Sequence, residues 1–348
     1  MSCDRICLAS DNCTPTHPLI MQSILDANTG SAPGYGADLW TAQAMQSIKE
    51  VFHKECRVLF VPTGTGANVL ALRLSCQRHE SIICSDIAHI ATQESGSPEA
   101  VGCKLLSVPS TLGKVTPSQI LHKLHMENHM GRHSTKPRVL SITQPTEIGT
   151  LYTLEELKEL SALCKQEHLL MHVDGSRLYN AAAALNVSLD AIIKACDADI
   201  LSLGGTKNGL MGAEALVIFN QSLGHSSDYL QKQTLQLLSK MRYLSAQYIP
   251  FFTNDLWHTL ATTANHQAQK LGAFIQKISQ LSLSYPVETN QIFFTAPPEW
   301  ITPITENIYS YLWDPLRHEI RFVTSWNTSD KDIEAACSIL QNISYKSG

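Results

Sequence analysis

The chain is 348 residues long, and 26 Lys and Arg set against 31 Asp and Glu leave a formal net charge of −5. Apolar residues make up 44% and charged residues 16%, which is too rich in core-forming side chains for a disordered chain and implies about two domains. No Lys/Arg block, no membrane-length apolar run and no signal segment at Met1–Cys7 is visible, so nucleic-acid and membrane partners are not expected and a cytoplasmic location is.

From residue 56 to 220 short apolar runs alternate with helical stretches. Strands are expected at Arg57–Val61, Ser81–Cys84, Lys104–Val108, Arg138–Ile142, Leu169–Val173, Ile200–Leu203 and Ala215–Phe219. Helices are expected at Ala67–Cys76, Pro117–Met130 and Leu154–His168, the last carrying Leu154, Leu157, Leu160 and Leu163 at helical spacing. This alternation is the pattern of a mostly parallel sheet covered on both faces, in which sites form at the carboxyl ends of strands. Beyond Asn220 one long helix is expected over Ser227–Gln247, ended by Pro250, and another over Asn254–Leu281. Strands at Gln291–Thr295 and Glu319–Val323 and a helix at Asp330–Leu340 complete the pattern. The expected division is a large domain over residues 1–250 and a smaller α+β domain over 251–348.

Three segments carry chemistry. Thr63-Gly64-Thr65-Gly66 joins an expected strand to an expected helix, a turn whose free backbone N–H groups suit a phosphate. Asp174 ends the strand Leu169–Val173, where a carboxylate either caps a helix or accepts a charged hydrogen bond. Lys207 lies in Gly204-Gly205-Thr206-Lys207-Asn208-Gly209 after a buried strand, where partial desolvation favours a neutral, nucleophilic amine. Together they fit pyridoxal phosphate: the turn for the phosphate, Asp174 for the pyridine nitrogen and Lys207 for a Schiff base, with His89 able to stack on the ring.

These residues resemble the low-specificity L-threonine aldolases, pyridoxal-phosphate enzymes of fold type I (aspartate-aminotransferase-like). The resemblance covers nearly the whole chain, through Leu8–Asn12, Tyr35–Asp38, Thr63–Asn68, Ala88–Ile90, His172–Arg177, Leu203–Gly209, Ser239–Arg242 and Ile320–Trp326. It implies an α/β fold with a large parallel-sheet domain and a smaller α+β domain, and cleavage of L-threonine, L-allo-threonine or related β-hydroxy-α-amino acids to glycine and an aldehyde. Gly64 and Thr65 would bind the cofactor phosphate, His89 would stack on the ring, Asp174 would face the pyridine nitrogen and Lys207 would carry the Schiff base. Ser10, Arg177 and Arg321 would hold the substrate carboxylate. Arg242 would reach a cofactor phosphate from a neighbouring subunit of a homotetramer, and Glu94 is a further candidate. His89, or a water that it holds, is the candidate base, because Thr143–Glu147 lacks the histidine that many family members carry there. Other reactions on the same fold stay open at this point, namely β-elimination, transamination and racemisation, as does a non-catalytic protein that keeps the fold.

Two other groups suggest a metal and are not assigned one. His122, His125, His129 and His133 recur at helical spacing without an acidic neighbour set, which reads as a solvated face. Of the ten cysteines only Cys3, Cys7 and Cys13 lie close together and none forms CxxC, so free thiols are expected.

Overall fold

A computed structural model describes residues 5–346; Cys3 lies outside the described residues. The strands in chain order are β1 (Ile6–Cys7), β2 (Arg57–Val61), β3 (Glu80–Ser85), β4 (Lys104–Val108), β5 (Lys136–Thr143), β6 (Leu170–Gly175), β7 (Ile200–Leu203), β8 (Glu214–Ile218), β9 (Ser282–Leu283), β10 (Gln291–Thr295), β11 (Ile308–Tyr309), β12 (Tyr311–Asp314) and β13 (Glu319–Val323). Seven of them form one sheet in the order β2-β8-β7-β6-β5-β3-β4, in which β8 alone runs against its neighbours. A second sheet has the order β12-β13-β10-β9 and is antiparallel.

The large sheet is buried on both faces, which explains its near-continuous apolar strands. In β8, Ala215 and Val217 enter the core on one face, whereas Leu216 and Ile218 pack with Leu59, Val61, Leu70 and Ile200 on the other. The helix Leu154–Gln166 starts at a capping box, Thr153 with Glu156, and buries Leu157, Leu160 and Leu163; two otherwise orphaned donors are thereby satisfied. Along the helix Leu256–Ile275, Trp257, Leu260 and Ala261 join the core of the large sheet, and Ala268, Leu271 and Ile275 join that of the small one. One helix therefore serves both cores.

Two expected helices differ. The stretch Ser227–Gln247 is interrupted: a helix runs over Ser227–Gln233, and the next begins at Arg242. Leu235 takes a left-handed φ of 65°, costly for a residue with a Cβ, and from there the chain runs along the Thr63–Gly66 turn and the Gly34–Tyr35 loop. Gln236 lies against Gly66, and the Ser239 carbonyl accepts the Tyr35 N–H at 2.9 Å. Pro250 sits inside the short helix Tyr248–Phe252 rather than ending one, in the first turn where proline is tolerated. The second helix is shorter than expected, Leu256–Ile275: Asn254 and Asp255, both left-handed, delay its start, and it ends six residues before Leu281. Among the described residues no helix is long and apolar enough to cross a membrane, and the described cysteines are free thiols.

Candidate active site

The loops that follow β2, β3, β5, β6 and β7 meet at the carboxyl edge of the large sheet. Thr63 caps the helix Gly64–Ser75, accepting the Gly66 N–H at 3.0 Å. Asp174 lies next to the end of β6, in register with Thr143 of β5 and Ser202 of β7, and is 2% exposed. Its Oδ2 accepts from Asn68 Nδ2 at 2.8 Å, and its Oδ1 accepts from the Ser176 backbone N–H and hydroxyl. Burial alone would raise its pKa, but the Ser176 hydrogen bond, the charges of His89 and Lys207 and the Asn68 hydrogen bond hold it below the usual carboxylate value.

The Asn68 amide also donates to Glu94 Oε1 at 2.8 Å, and that oxygen lies 2.8 Å from His89 Nδ1. A carboxylate on Nδ1 fixes a proton there, so that in the neutral imidazole Nε2 is the acceptor. The His89 backbone N–H donates to Glu147 Oε1 at 2.8 Å, which also takes the Thr143 hydroxyl at 2.6 Å. His89 is thus held at both ring and backbone. Burial raises the Glu147 pKa. Glu94 Oε2, Glu147 Oε2 and Asn68 Oδ1 are shut off from solvent without a hydrogen-bond partner.

Lys207 occupies a 3₁₀ turn, Thr206–Asn208, between β7 and β8 and is half-buried. A Cβ on Gly204 would stand 2.3 Å from the Ser176 carbonyl oxygen, so glycine there lets the lysine loop lie against the Asp174–Arg177 segment. Burial, and next the Arg177 charge, lower the Lys207 pKa, the direction that frees an amine for nucleophilic attack.

Arg177 and Arg321 come from different sheets. Arg177 is gripped side-on by Asp11, Nε to Oδ2 at 2.6 Å and Nη2 to Oδ1 at 2.9 Å, and Asn290 supports Asp11 at 3.1 Å. Arg321 donates to the Ala9 carbonyl at 3.1 Å and lies 4.4 Å from the Trp313 ring centroid, while its Nε is buried without a partner. Burial and the neighbouring Arg177 charge press the Arg321 pKa down to about 10. Two guanidinium groups held close enough to oppose each other, one with an idle N–H, suit an anion between them. Ser10 is buried beside Asp11 and caps the turn Asp11–Cys13, accepting from Asn12 N–H at 3.2 Å. Arg242 lies elsewhere in the chain, donating to the Gly30 carbonyl at 3.1 Å and lying over the Tyr243 ring.

The family model of the beta-eliminating lyases matches residues 8–297, more than four-fifths of the chain. The chain belongs to the beta-eliminating lyase family. Within that family it is similar to the low specificity L-threonine aldolase of Pseudomonas aeruginosa, 37% identical with 96% of each chain covered, and to that of another Pseudomonas species, 38% identical over 92% of this chain and 93% of the other. A solved threonine aldolase from Leishmania major superposes with a TM-score of 0.93 at 29% identity, covering 97% of this chain and 99% of that one. Aspartate aminotransferase from Thermus thermophilus shares the fold, at a TM-score of 0.72 and 12% identity over 98% of this chain and 92% of that one. The chain therefore has fold type I.

The structure brings Gly64, Thr65, Ser10, His89, Asp174, Arg177, Lys207 and Arg321 to one edge and leaves Arg242 apart, at the start of the helix Arg242–Ser245 that follows the segment running along the Thr63–Gly66 turn. Sequence reasoning missed Asp11, Asn68, Glu147 and Glu214 as parts of the same network. Asp11 and Asn68 stand inside segments singled out for other residues. Glu147 occupies the stretch where a histidine was sought, and Glu214 is the acidic start of an apolar run. The His122, His125, His129 and His133 group lies on the helix Pro117–Met130 and the turn that follows. Among the described residues no group of three or more His, Cys, Asp or Glu could hold a metal ion.

Proposed function

We propose that this chain cleaves β-hydroxy-α-amino acids, L-threonine or L-allo-threonine among them, to glycine and an aldehyde with pyridoxal phosphate as cofactor. The single observation that carries the reading is a half-buried lysine beside a buried, hydrogen-bonded aspartate, with a two-arginine anion site next to both. The residues fit the cofactor. Nothing stands within 4 Å of a Cβ built on Gly64, and the Gly64 and Thr65 N–H groups start a helix, where backbone donors lack intrahelical partners and favour a phosphate. Asp174 keeps an anionic carboxylate inside the fold, as a protonated pyridine nitrogen requires, and Lys207 supplies the amine that carries the cofactor.

When bound, the cofactor supplies the electron sink for the pair released from the Cα–Cβ bond. Ser10, Arg177 and Arg321 bind the substrate carboxylate and so orient that bond. His89, covering the ring, accepts the β-hydroxyl proton at Nε2 directly or through a water held there, a role worth about 10²–10⁴-fold in rate. Arg242 reaches the phosphate of a neighbouring subunit in a homotetramer. We take residues 1–250 as the cofactor-binding domain and 251–348 as the smaller one, and the cytoplasm as its location.

The visible spectrum of protein loaded with pyridoxal phosphate tests the assignment. The wild-type protein is expected to be yellow and to change colour when glycine is added, and Lys207→Ala to lose both the linkage and turnover. A wild-type protein that stays colourless with added cofactor contradicts the reading.

A further inference from the structure

Glu214 is a buried carboxyl that no step above uses. Strand β8 is the one strand that runs against the others, so its first residue stands where its neighbours end: Glu214 pairs with Val61, the last residue of β2, and the adjacent Ala215 pairs with Leu203, the last of β7. Antiparallel direction thus delivers a carboxylate to the carboxyl edge from a strand that would otherwise leave the site. The side chain grips the lysine loop at two consecutive points, accepting the Gly205 N–H at 2.8 Å on Oε2 and the Thr206 hydroxyl at 2.5 Å on Oε1. Lys207 is the next residue.

The packing around this clamp is tight. A Cβ on Gly205 would meet the Ala213 carbonyl oxygen at 2.3 Å and the Tyr248 hydroxyl at 3.0 Å. Tyr248 directs its own hydroxyl to the Ala213 and Leu203 carbonyls at 3.2 and 3.4 Å. Glu214 is 6% exposed. The titratable group that acts on it is Lys207, which favours its charge, and its own charge acts on the buried hydroxyls of Tyr179 and Tyr248. Lys207 is flanked by Arg177, Asp11, Asp174 and Glu214. Asp11 is already bound bidentately to Arg177, and Asp174 already accepts hydrogen bonds from Asn68 and Ser176. Of the three carboxylates near the lysine, Glu214 is the one whose partners all lie in the lysine's own loop.

We infer that Glu214 is a positioning residue for Lys207: its carboxylate clamps Gly205 and Thr206 and sets how strongly the lysine nitrogen holds a proton. Burial pushes its pKa up to about 7, so its charge appears within the pH range in which an enzyme of this kind would work. The inference rests on the pyridoxal-phosphate reading, and its test has a separate point of failure.

The test is a pH titration, from about pH 5 to 11, of the visible absorbance of cofactor-loaded wild type, Glu214→Gln and Thr206→Val. Glutamine keeps an acceptor for the Gly205 N–H and can donate to the Thr206 hydroxyl, so the clamp persists while the charge is removed. The expected result is a spectral midpoint lowered by about one pH unit in Glu214→Gln, a tenfold loss in proton affinity at the lysine nitrogen, with cofactor affinity held within about threefold. Thr206→Val keeps the carboxylate but removes one donor to it, and is expected to move the midpoint in the same direction by a smaller amount. This second variant decides the matter if Glu214→Gln does not fold. Equal midpoints in all folded variants, or spectra of all of them that do not respond to pH, overturn the inference while leaving a coloured Lys207 enzyme intact. A colourless wild type overturns the pyridoxal-phosphate reading and this inference with it.

Discussion

Arg177 owes its direction to Asp11. A guanidinium fork offers five N–H donors, and the two spent on the Asp11 carboxylate fix the plane in which the remaining three point. The pair is almost closed to water, with the Arg177 side chain 13% and that of Asp11 1% exposed. Burial alone would raise the Asp11 pKa, but the Arg177 charge and hydrogen bond, with smaller help from Lys207 and Asn290, hold it below the usual value. Replacing Asp11 by Asn keeps the shape and removes the charge that orients the arginine. The expected outcome is a KM for the amino acid raised at least about tenfold, with kcat lowered less, as follows when ground-state binding is lost. Steady-state kinetics with L-threonine check this, and an unchanged KM would show that Arg177 needs no such support.

Across the centre of the sheet a second polar thread joins three strands. His172 of β6, fully buried, sets Nδ1 at 2.8 Å from the Ser141 hydroxyl of β5 and Nε2 at 3.1 Å from the Ser202 hydroxyl of β7. Burial pulls its pKa from 6.5 down to about 4. The folded state therefore binds fewer protons than the unfolded state between those values. The stability this neutral histidine contributes is fully present above pH 6.5 and is lost as pH falls towards 4, by on the order of 3 kcal/mol. Glu214 works in the opposite sense, because an acid with a raised pKa costs stability as pH rises from 4.5 to about 7, so the wild-type curve alone mixes the two. Urea unfolding of wild type and His172→Gln at several pH values isolates the histidine: their difference is expected to shrink as pH drops from 7 to about 4. A difference independent of pH would contradict the assignment.

The same elements show how far sequence alone reaches. Strands Arg57–Val61 and Ile200–Leu203 were legible to the residue because burial leaves mostly apolar runs with turn residues at each end; Lys104–Val108, an edge strand with Lys104 and Ser107 exposed, was legible from the turn residues that bound it. The break at residues 234–241 was not, since apolar spacing carries no trace of the left-handed Leu235 or of the loop that Gln236 and Ser239 brace. Lys207 and Asp174 were visible because glycines and strand ends mark them. Glu214 was hidden because only the reversed direction of β8 brings its first residue to the site, and direction within a sheet is a tertiary fact.

For the whole molecule, the helix Leu256–Ile275 ties the two sheets into one structure, and the two arginines proposed for the substrate carboxylate draw on both: Arg177 follows β6 of the large sheet, while Arg321 lies on β13 of the small one. The substrate anion would thus bridge the two parts of the chain. The single chain also leaves Leu19, Leu25, Tyr35, Leu39 and Leu235 exposed, with a 530 Å³ groove between Leu19, Trp40, Ile249, Pro250 and Leu256. Apolar surface of this kind favours association, in keeping with the proposed oligomer in which Arg242 serves a neighbour. The most direct measurement of the central claim is the product balance from L-threonine or L-allo-threonine with cofactor-loaded protein, followed by assaying glycine and acetaldehyde together. The account predicts that both appear in equal amounts with wild type and that neither appears with Lys207→Ala. Release of ammonia or a keto acid in place of glycine, or equal turnover by the lysine variant, would contradict it.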